Sequence, residues 1–344
     1  MTALRPVAAP TRIRLSWLLA AIGLLVVVMV ASAVTGPAAI GPGSAMLAAL
    51  DRLPLVTIDS GLDGRQLDIL WLVRFPRVVL GALVGAMLSL AGASFQGVFR
   101  NPLADPYLLG VAAGAGLGAT IVIVSGASGF LPAAAFVGAV VGVVLTYGLG
   151  RTVRTRSTTS LILAGVAVAS FLTAVQTYVQ QRNAETVREV FSWILGRLST
   201  DGWSEVLLIL PYVTVSATII LVHRRLLDVL ALGDEEAAGL GVPITRVRLA
   251  VVAAATLGTA AAVAVGGLIG FVGMIVPHAI RVLAGSSYRV VLPLAAIVGG
   301  AFMVGADLVA RTVLSPAELP IGVVTAFLGA PFFVLVLRTT RGVV

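Results

Sequence analysis

The stretch that decides the fold runs from Arg74 to Gly118 and reads RFPRVVLGALVGAMLSLAGASFQGVFRNPLADPYLLGVAAGAGLG. An apolar run is followed by a polar break at residues 100–106 and then by a second, glycine-rich apolar run. Pro102 and Pro106 have no backbone N–H and interrupt any helix that contains them. Because irregular backbone is not tolerated where it faces lipid, the stretch predicts a membrane helix that reaches a surface, a tight polar turn, and a second helix that leaves it.

The composition extends this prediction to the whole chain. Of the 344 residues 59% are hydrophobic and only 11% are charged, whereas soluble domains carry roughly 25% charged residues. The apolar runs are long and continuous, unlike the ~10-residue alternating segments of a membrane β-barrel. The sequence therefore predicts an all-α polytopic membrane protein, with residues 1–344 forming one transmembrane domain.

The length of an apolar run that spans a bilayer, about 20 residues, gives ten candidate transmembrane helices. The eighth is the most interrupted, because glycines and Pro277 break it up. The ten spans are residues 15–35, 76–98, 107–125, 131–150, 160–180, 203–223, 246–265, 267–283, 291–313 and 320–338.

The arginines predict the orientation, since basic residues accumulate in cytoplasmic loops. With the N-terminus inside, fifteen arginines fall on the cytoplasmic side and eight on the outer side. Both termini are then cytoplasmic, residues 1–14 form a cytoplasmic tail, residues 36–70 an outer loop, and residues 224–248 the largest cytoplasmic loop. The net charge of +8 is explained by this bias, so no nucleic-acid partner is expected.

The first span has two readings. Arg5, Arg12 and Arg14 precede it, and the sequence Ala-Ser-Ala at 31–33 has the small residues of a signal-peptidase site. The apolar run from Leu15 is longer than the usual core of a signal peptide. We therefore expect the segment to be retained as a membrane helix.

Three loops carry further predictions. The outer loop 36–70 is expected to hold one short surface helix, and the outer loop 181–202 a short interfacial or re-entrant helix around Trp193. In the cytoplasmic loop, residues 234–240 predict a helix with one apolar and one acidic face. From spacing alone this helix is either a connector lying on the membrane or a docking helix for a cytoplasmic partner.

The sequence lacks the common catalytic motifs. There is no Walker A pattern and no lysine to complete one, so the chain is not expected to hydrolyse ATP or to be an enzyme. It has no cysteine and two histidines, which excludes thiolate and histidine-rich metal sites, and no cofactor is expected. Asp307 is the one carboxylate well inside a predicted span, and it is the residue an ion-coupled secondary transporter would use. Arg311 lies four residues further on, so an intrahelical ion pair is the simpler interpretation.

Three arginines stand at the outer ends of predicted spans, where the charge bias predicts few. They are Arg74, Arg77 and Arg311. Their side chains either anchor the helices at the headgroups or form a docking patch for an acidic soluble partner.

Several motifs occur in a fixed order along the chain. They are RFPR at 74–77, Gln96, RNPLADP at 100–106, LLG at 108–110, LAGVA at 163–167, Trp193 with Gly196, LALG and GLGV within 230–242, GFVGMIVPH at 270–278, ADLVAR at 306–311 and ELPIGVVTAFLGAPFF at 318–333. By these motifs the chain resembles the FecCD-type permeases, the membrane subunits of ABC importers for iron–siderophores, haem and vitamin B12. The resemblance covers the chain from about residue 70 to its end. One departure lies at residues 285–289, GSSYR, where such permeases often carry an acid, a histidine and an arginine.

The resemblance implies an ABC type II importer permease fold in a bacterial inner membrane. It implies a second permease subunit, identical or paralogous, a pair of ABC ATPase subunits, and a periplasmic or lipid-anchored substrate-binding protein. It identifies the helix in the cytoplasmic loop as the coupling helix that contacts the ATPase, and it assigns binding-protein docking to Arg74, Arg77 and Arg311. The implied coupling residues are Leu230, Leu232, Gly233, Ala237, Gly239, Leu240 and Gly241. The implied cytoplasmic gate consists of Asn101, Leu103, Thr158 and Thr159.

The competing functions are an ion-coupled secondary transporter that uses Asp307 and a membrane scaffold without transport. The motifs do not distinguish siderophore, haem and cobalamin as substrates.

Overall fold

The computed structural model describes residues 12–36, 38, 40–52, 58–152 and 158–340, and it describes only the backbone at residues 151–152, 158–159 and 335–340. Within this part of the chain the regular structure is entirely helical, as the continuous apolar runs predict. Short 3-10 turns at Pro106–Leu109, Ser128–Phe130 and Ala184–Thr186 connect some of the helices.

The α-helices are numbered in chain order. They are α1 Leu15–Val34, α2 Pro42–Asp51, α3 Gly64–Asp68, α4 Phe75–Phe99, α5 Val111–Val124, α6 Leu131–Thr152, α7 Thr158–Arg182, α8 Val187–Ile194, α9 Ser204–Val222, α10 Arg224–Leu230, α11 Asp234–Gly239, α12 Ile244–Gly266, α13 Val272–Ala284, α14 Tyr288–Thr312 and α15 Ile321–Thr340.

The predicted spans coincide with these helices. In the described residues seven helices are long and apolar enough to cross a membrane, and they overlap seven of the ten predicted spans. The other three predicted spans fall on shorter apolar helices at Val111–Val124, Val272–Ala284 and Ile321–Val334. The membrane class is confirmed, and the count of ten crossings stays a prediction.

The centre of the bundle is formed by α4, α12 and α14. Inside their most apolar windows 78%, 78% and 67% of the residues are buried, against 17% to 28% for α1, α6, α7 and α9. Small residues allow this close packing. A Cβ atom at Gly85 of α4 would lie 2.2 Å from the Gly299 carbonyl oxygen of α14, and one at Gly114 of α5 would lie 2.1 Å from the Gly138 carbonyl oxygen of α6. These glycines therefore allow the helix backbones to pack closely against one another.

The eighth span differs from the prediction. Residues 267–271 are not helical, since Gly267 (φ 72°) and Phe271 (φ 70°) adopt left-handed backbone conformations. Helix α13 begins only at Val272 and has 13 residues, which reaches about 20 Å at 1.5 Å per residue. It is thus too short to cross the roughly 30 Å of hydrocarbon alone, and it begins within the bundle, where Gly273 touches Gly92 of α4.

The outer loop 36–70 also differs from the prediction of one short helix. It holds both α2 and α3, and α3 continues through a π-helical turn, Ile69–Arg74, directly into α4. The continuous helical segment therefore runs over Gly64–Phe99. Arg74 consequently lies inside this segment, and its side chain reaches the end of α1, where it donates to the carbonyl oxygens of Ala33 and Val34.

The remaining loop predictions agree with the structure. Helix α8 lies around the buried Trp193 in the loop 181–202. In the loop 224–248, α11 spans almost the predicted residues and is preceded by a further helix, α10.

Candidate functional site

One end of the bundle carries a buried ionic cluster that we call the Arg77 cluster, formed by Arg74, Arg77, Asp307, Arg311 and Glu318. Arg77 donates through Nε and Nη2 to Asp307, with the shortest distance 2.8 Å to Oδ1. It also donates through Nη1 and Nη2 to both oxygens of Glu318, at 3.0 and 2.9 Å. Arg311 donates from Nε to Asp307 Oδ2 at 3.0 Å. The predicted intrahelical pair is confirmed, and Asp307 accepts from a second helix as well.

The same cluster fixes the end of α1. Arg311 Nη2 donates to the Ser32 hydroxyl oxygen at 2.7 Å and to its carbonyl oxygen. Arg74 donates to the carbonyl oxygens of Ala33, Val34 and Ala38. Ser32 and Ala33 of the candidate cleavage site are thus buried and bound by two distant arginines, and retention of the first helix stays a prediction.

The three predicted docking arginines therefore lie together, but they are not equally accessible. Arg74 is only 7% exposed, while the side chains of Arg77 and Arg311 are 18% and 14% exposed. Glu318 is 50% exposed and lies at the rim. Its loop stands outside the helices, and the hydrogen bond from Arg77 lowers the pKa of its carboxyl group below the usual value. A cavity of about 320 Å³ lies between these side chains and is also lined by Thr35, Gly36 and Ala38.

The opposite end carries the polar turn that joins α4 to α5. The Asn101 side-chain oxygen accepts from the Leu103 backbone N–H at 2.9 Å, and the Ala104 N–H donates to the Asn101 carbonyl oxygen. Asparagine closes a turn on its own backbone in this way. The Leu103 side chain is 41% exposed and stands at the tip of the turn.

A second pair of residues ties this turn to the break before α13. The Asp105 carboxylate accepts from the Tyr107 N–H at 2.9 Å, and burial raises the pKa of Asp105 to about 6. The Tyr107 hydroxyl donates to the Ile269 carbonyl oxygen at 3.1 Å and accepts from the Ile269 N–H at 3.2 Å. The turn is therefore rigid on its α5 side and exposed at Leu103.

The other two predicted gate residues are only partly described. Helix α7 begins at Thr158, but the side chains of Thr158 and Thr159 lie outside the described residues. Their part in a gate stays a prediction.

The seven predicted coupling residues fall into two sets. The buried set holds the short unit together and consists of Leu230, Gly233 and Ala237. The exposed set forms the outer surface of the unit and consists of Leu232, Gly239, Leu240 and Gly241. The side chains of Leu232 and Leu240 are 55% and 65% exposed, so an apolar surface stands out between charged residues.

A polar cluster near the same end was not predicted. The Gln96 side chain of α4 donates to the Gly273 carbonyl oxygen at 2.9 Å, and Arg281 of α13 donates to Gln96. The signal was present in the sequence, because Gln96 and Arg281 are rare polar residues in apolar runs. Gln96 and Arg281 lie 185 positions apart, and no sequence pattern predicts that they pair.

Residues 285–289, which differ from the usual sequence of FecCD-type permeases, are hydrogen-bonded to the loop 224–248. Ser287 donates from Oγ to Asp228 at 2.8 Å, and the Tyr288 N–H donates to the same carboxylate at 2.6 Å. These bonds attach the start of α14 to α10. In the described residues no group of three or more histidine, aspartate or glutamate side chains is arranged to hold a metal ion.

Comparison with known proteins gives consistent results. The model of the FecCD transport family matches residues 24–339. The chain is 41% identical to the ABC transporter permease protein YvrB of Bacillus subtilis, covering 81% of this chain and 82% of YvrB. It is 38% identical to the cobalamin import system permease protein BtuC of Halobacterium salinarum, covering 94% of this chain and 96% of that protein. Among solved structures, an inward-facing metal-chelate type ABC transporter matches with a TM-score of 0.81 and 30% identity, covering 94% of this chain and 99% of the other.

Proposed function

The chain belongs to the FecCD transport family, and we propose that it is the permease subunit through which an ATP-driven importer passes an iron chelate, haem or a cobalamin into the cytoplasm. The observation that carries the proposal is the unit α10–α11 at the end that also holds the Asn101 turn. In this unit Leu232 and Leu240 are exposed, and a Cβ atom at Gly239 or Gly241 would meet no described atom within 4 Å. The unit lies at the same end of the bundle as the Asn101 turn. A surface of this kind fits a soluble partner that delivers the energy of ATP hydrolysis, because the chain has no nucleotide loop of its own.

The proposed partners follow from the two ends of the bundle. A pair of ATPase subunits contacts α11 on the cytoplasmic side, and a periplasmic or lipid-anchored binding protein contacts the Arg77 cluster on the outer side. A second permease subunit completes a two-fold symmetric channel. Both termini then face the cytoplasm of a cell whose inner membrane holds the assembly.

The proposed mechanism uses the described turn as a moving part. Nucleotide binding closes the ATPase pair and displaces α11, and the helices connected to α11 shift between two arrangements. Asn101 and Leu103, with Thr158 and Thr159, form the inner gate. The binding protein supplies the affinity for the ligand, so the path requires few charged side chains.

The ion-coupled alternative has weaker support. It needs a carboxylate that is free to exchange a proton or an ion within the membrane. Asp307 is 2% exposed and accepts hydrogen bonds from both Arg77 and Arg311, so its oxygens already serve a structural cluster.

The first prediction concerns the ATPase contact. Replacing Gly239 by tryptophan places a large side chain on the exposed end of α11, where a Cβ atom meets nothing within 4 Å among the described residues. We expect the Gly239→Trp permease to fold and to melt like the wild type. We also expect it to lose most of its ATPase partner, which co-purification and the ATPase activity of the assembly measure.

The matched control is Gly129→Trp, at the opposite end of the bundle. A Cβ atom at Gly129 likewise meets nothing within 4 Å, so the same side chain is added to an equally open position. Normal ATPase assembly by Gly239→Trp would refute the assignment of α11, as would equal loss in both variants.

The second prediction concerns the docking of the binding protein. Glu318 occupies one edge of the Arg77 guanidinium, and it competes there with any acidic group of a partner. We expect Glu318→Gln to raise the affinity for the binding protein about threefold to fivefold at low salt, since an exposed ion pair contributes up to about 1 kcal/mol. The gain should disappear at high salt because the attraction is screened.

Arg182→Gln serves as the control, because Arg182 is an exposed arginine at the predicted outer end of α7. Binding of the isolated binding protein to the permease in nanodiscs measures the effect. An affinity that Glu318→Gln leaves unchanged at every salt concentration would place docking elsewhere.

A further inference from the structure

The carboxylate of Asp234 joins three separate elements at the cytoplasmic end of the bundle. Arg248, in the first turns of α12, donates to it with two parallel hydrogen bonds, Nη2 to Oδ1 at 2.7 Å and Nη1 to Oδ2 at 3.0 Å. Arg100, which ends α4, places Nη2 at 3.1 Å from the same Oδ1. Asp234 itself is the first residue of α11. One side chain thus connects α11, α12 and the start of the Asn101 turn.

The backbone around this contact is specialised. Arg100 adopts a left-handed conformation, with φ 49° and ψ 36°, which is unfavourable for a residue with a Cβ atom. Glycine is the usual residue at such a helix end. An arginine in this position gives up backbone stability and gains a long cationic side chain immediately before Asn101. A similar specialisation lies on the other side, where Gly233 (φ 141°) turns the chain directly before Asp234.

The contact adds little to folding stability. The side chains of Asp234 and Arg100 are 44% and 45% exposed, and half-exposed ion pairs stabilise proteins only slightly. The contribution of the contact is geometric, because the bidentate hydrogen bonds between the Arg248 guanidinium and the Asp234 carboxylate fix direction as well as distance. The Arg248 Nε is buried and has no hydrogen-bond partner among the described residues, and the Asp234 carboxylate balances the charge of this partly buried cation.

We infer that Asp234 is a positioning residue that transmits the displacement of α11 to the gate turn through Arg100. The inference rests on the proposed function, since it requires that an ATPase partner moves α11. When α11 shifts, the carboxylate carries Arg100 with it, and Asn101 and Leu103 follow because they are the next residues of the chain. The pair with Arg248 keeps the carboxylate aligned on α12 during the movement.

Transport by the complete assembly tests the inference. The permease is reconstituted with its ATPase and binding protein, and ATP hydrolysis and ligand uptake are measured on the same vesicles. We expect Asp234→Asn and Arg100→Gln each to keep ATPase assembly and hydrolysis within about twofold of the wild type and to lower the uptake per ATP at least fivefold. The double variant should lose no more than Asp234→Asn alone, because that substitution already removes the connection that Arg100→Gln removes.

Arg246→Gln is the matched control, because Arg246 is an exposed arginine on α12 two residues before Arg248. It should keep the uptake per ATP of the wild type. A purely structural role for Asp234 would lower melting temperature, assembly and uptake together. Uptake per ATP that is unchanged in Asp234→Asn, or losses that add in the double variant, would overturn the inference.

A second measurement separates this inference from the proposed function. Because the chain contains no cysteine, a spin label on Leu103→Cys reports the gate turn alone. We expect its spectrum to change when the ATPase is trapped with nucleotide, and we expect Asp234→Asn to abolish that change while the ATPase still binds. A gate turn that responds equally in both proteins overturns the link but leaves the importer assignment intact. A wild-type assembly that hydrolyses ATP and imports nothing overturns the proposed function instead.

Discussion

A Gly92→Leu variant is expected to form a markedly less stable bundle than the wild type. A Cβ atom at Gly92 would lie 2.2 Å from the Gly273 carbonyl oxygen and 2.4 Å from its Cα atom. These are backbone atoms at the start of α13, and they cannot move aside as a flexible side chain does. Overpacking of a core costs about 1–3 kcal/mol even where side chains adjust, so we expect a loss at or above the upper end of that range.

The measurement is thermal melting of the purified permease in detergent. A loss of roughly 3 kcal/mol corresponds to a fall of about 4 °C in Tm for a chain of this size. The control is Gly23→Leu on α1, where a Cβ atom meets nothing within 4 Å. If Gly92→Leu and Gly23→Leu melt alike, α13 does not pack on α4 at this point and the described bundle is wrong there.

The break before α13 could be predicted from the sequence only in part. The glycines and Pro277 predict an interrupted eighth span, but they do not predict which residue starts the helix. That residue is set by the contact of Gly273 with Gly92, by the Tyr107 hydroxyl on Ile269 and by the amide of Gln96. All three contacts join residues far apart in the chain, and no periodic pattern contains them.

The second large effect is expected from Asp307→Leu. Asp307 is the common partner of Arg77 and Arg311, and its removal leaves two poorly exposed guanidinium groups without their shared anion. Breaking a buried ion pair from one side costs about 3–5 kcal/mol. The loss should also loosen the end of α1, because Arg311 holds Ser32 only while its own position is fixed.

Melting temperature and expression of Asp307→Leu measure this effect, with Asp201→Leu as the control because Asp201 is an exposed acid at the same end. The ion-coupled alternative makes a different prediction, namely a stable protein that has lost its dependence on an ion gradient. A variant that is as stable as the wild type would contradict the structural role given to Asp307.

The Arg77 cluster was predicted in part. The sequence identifies Arg74, Arg77 and Arg311 as unusual because they stand at outer helix ends against the charge bias. It also identifies the Asp307–Arg311 pair, since the two residues are four positions apart on one helix. It does not identify the carboxylates that bind Arg77, which lie 230 and 241 positions away, nor the burial of Arg74 under the end of α1.

The end of the bundle that holds α11 shows the same division. The leucines, acids and glycines of residues 230–242 predict a short amphipathic helix, and the structure places α11 there. The separation of these residues into buried Ala237 and exposed Leu240 follows from the packing of α11 on the start of α12, which spacing alone does not give. The contact of Asp234 with Arg100 depends on the left-handed backbone at Arg100. An arginine in the sequence does not predict that conformation.

The central claim is that this chain conducts its ligand only as part of an ATP-driven assembly. The most direct test is uptake into proteoliposomes that contain the permease alone or the permease with its ATPase and binding protein, with cobalamin, haem and a ferric siderophore as labelled ligands. We expect the full assembly to accumulate at least one of these ligands in the presence of ATP, and we expect ionophores to leave this accumulation unchanged. Accumulation by the permease alone, driven by a proton or sodium gradient without ATPase, would contradict it.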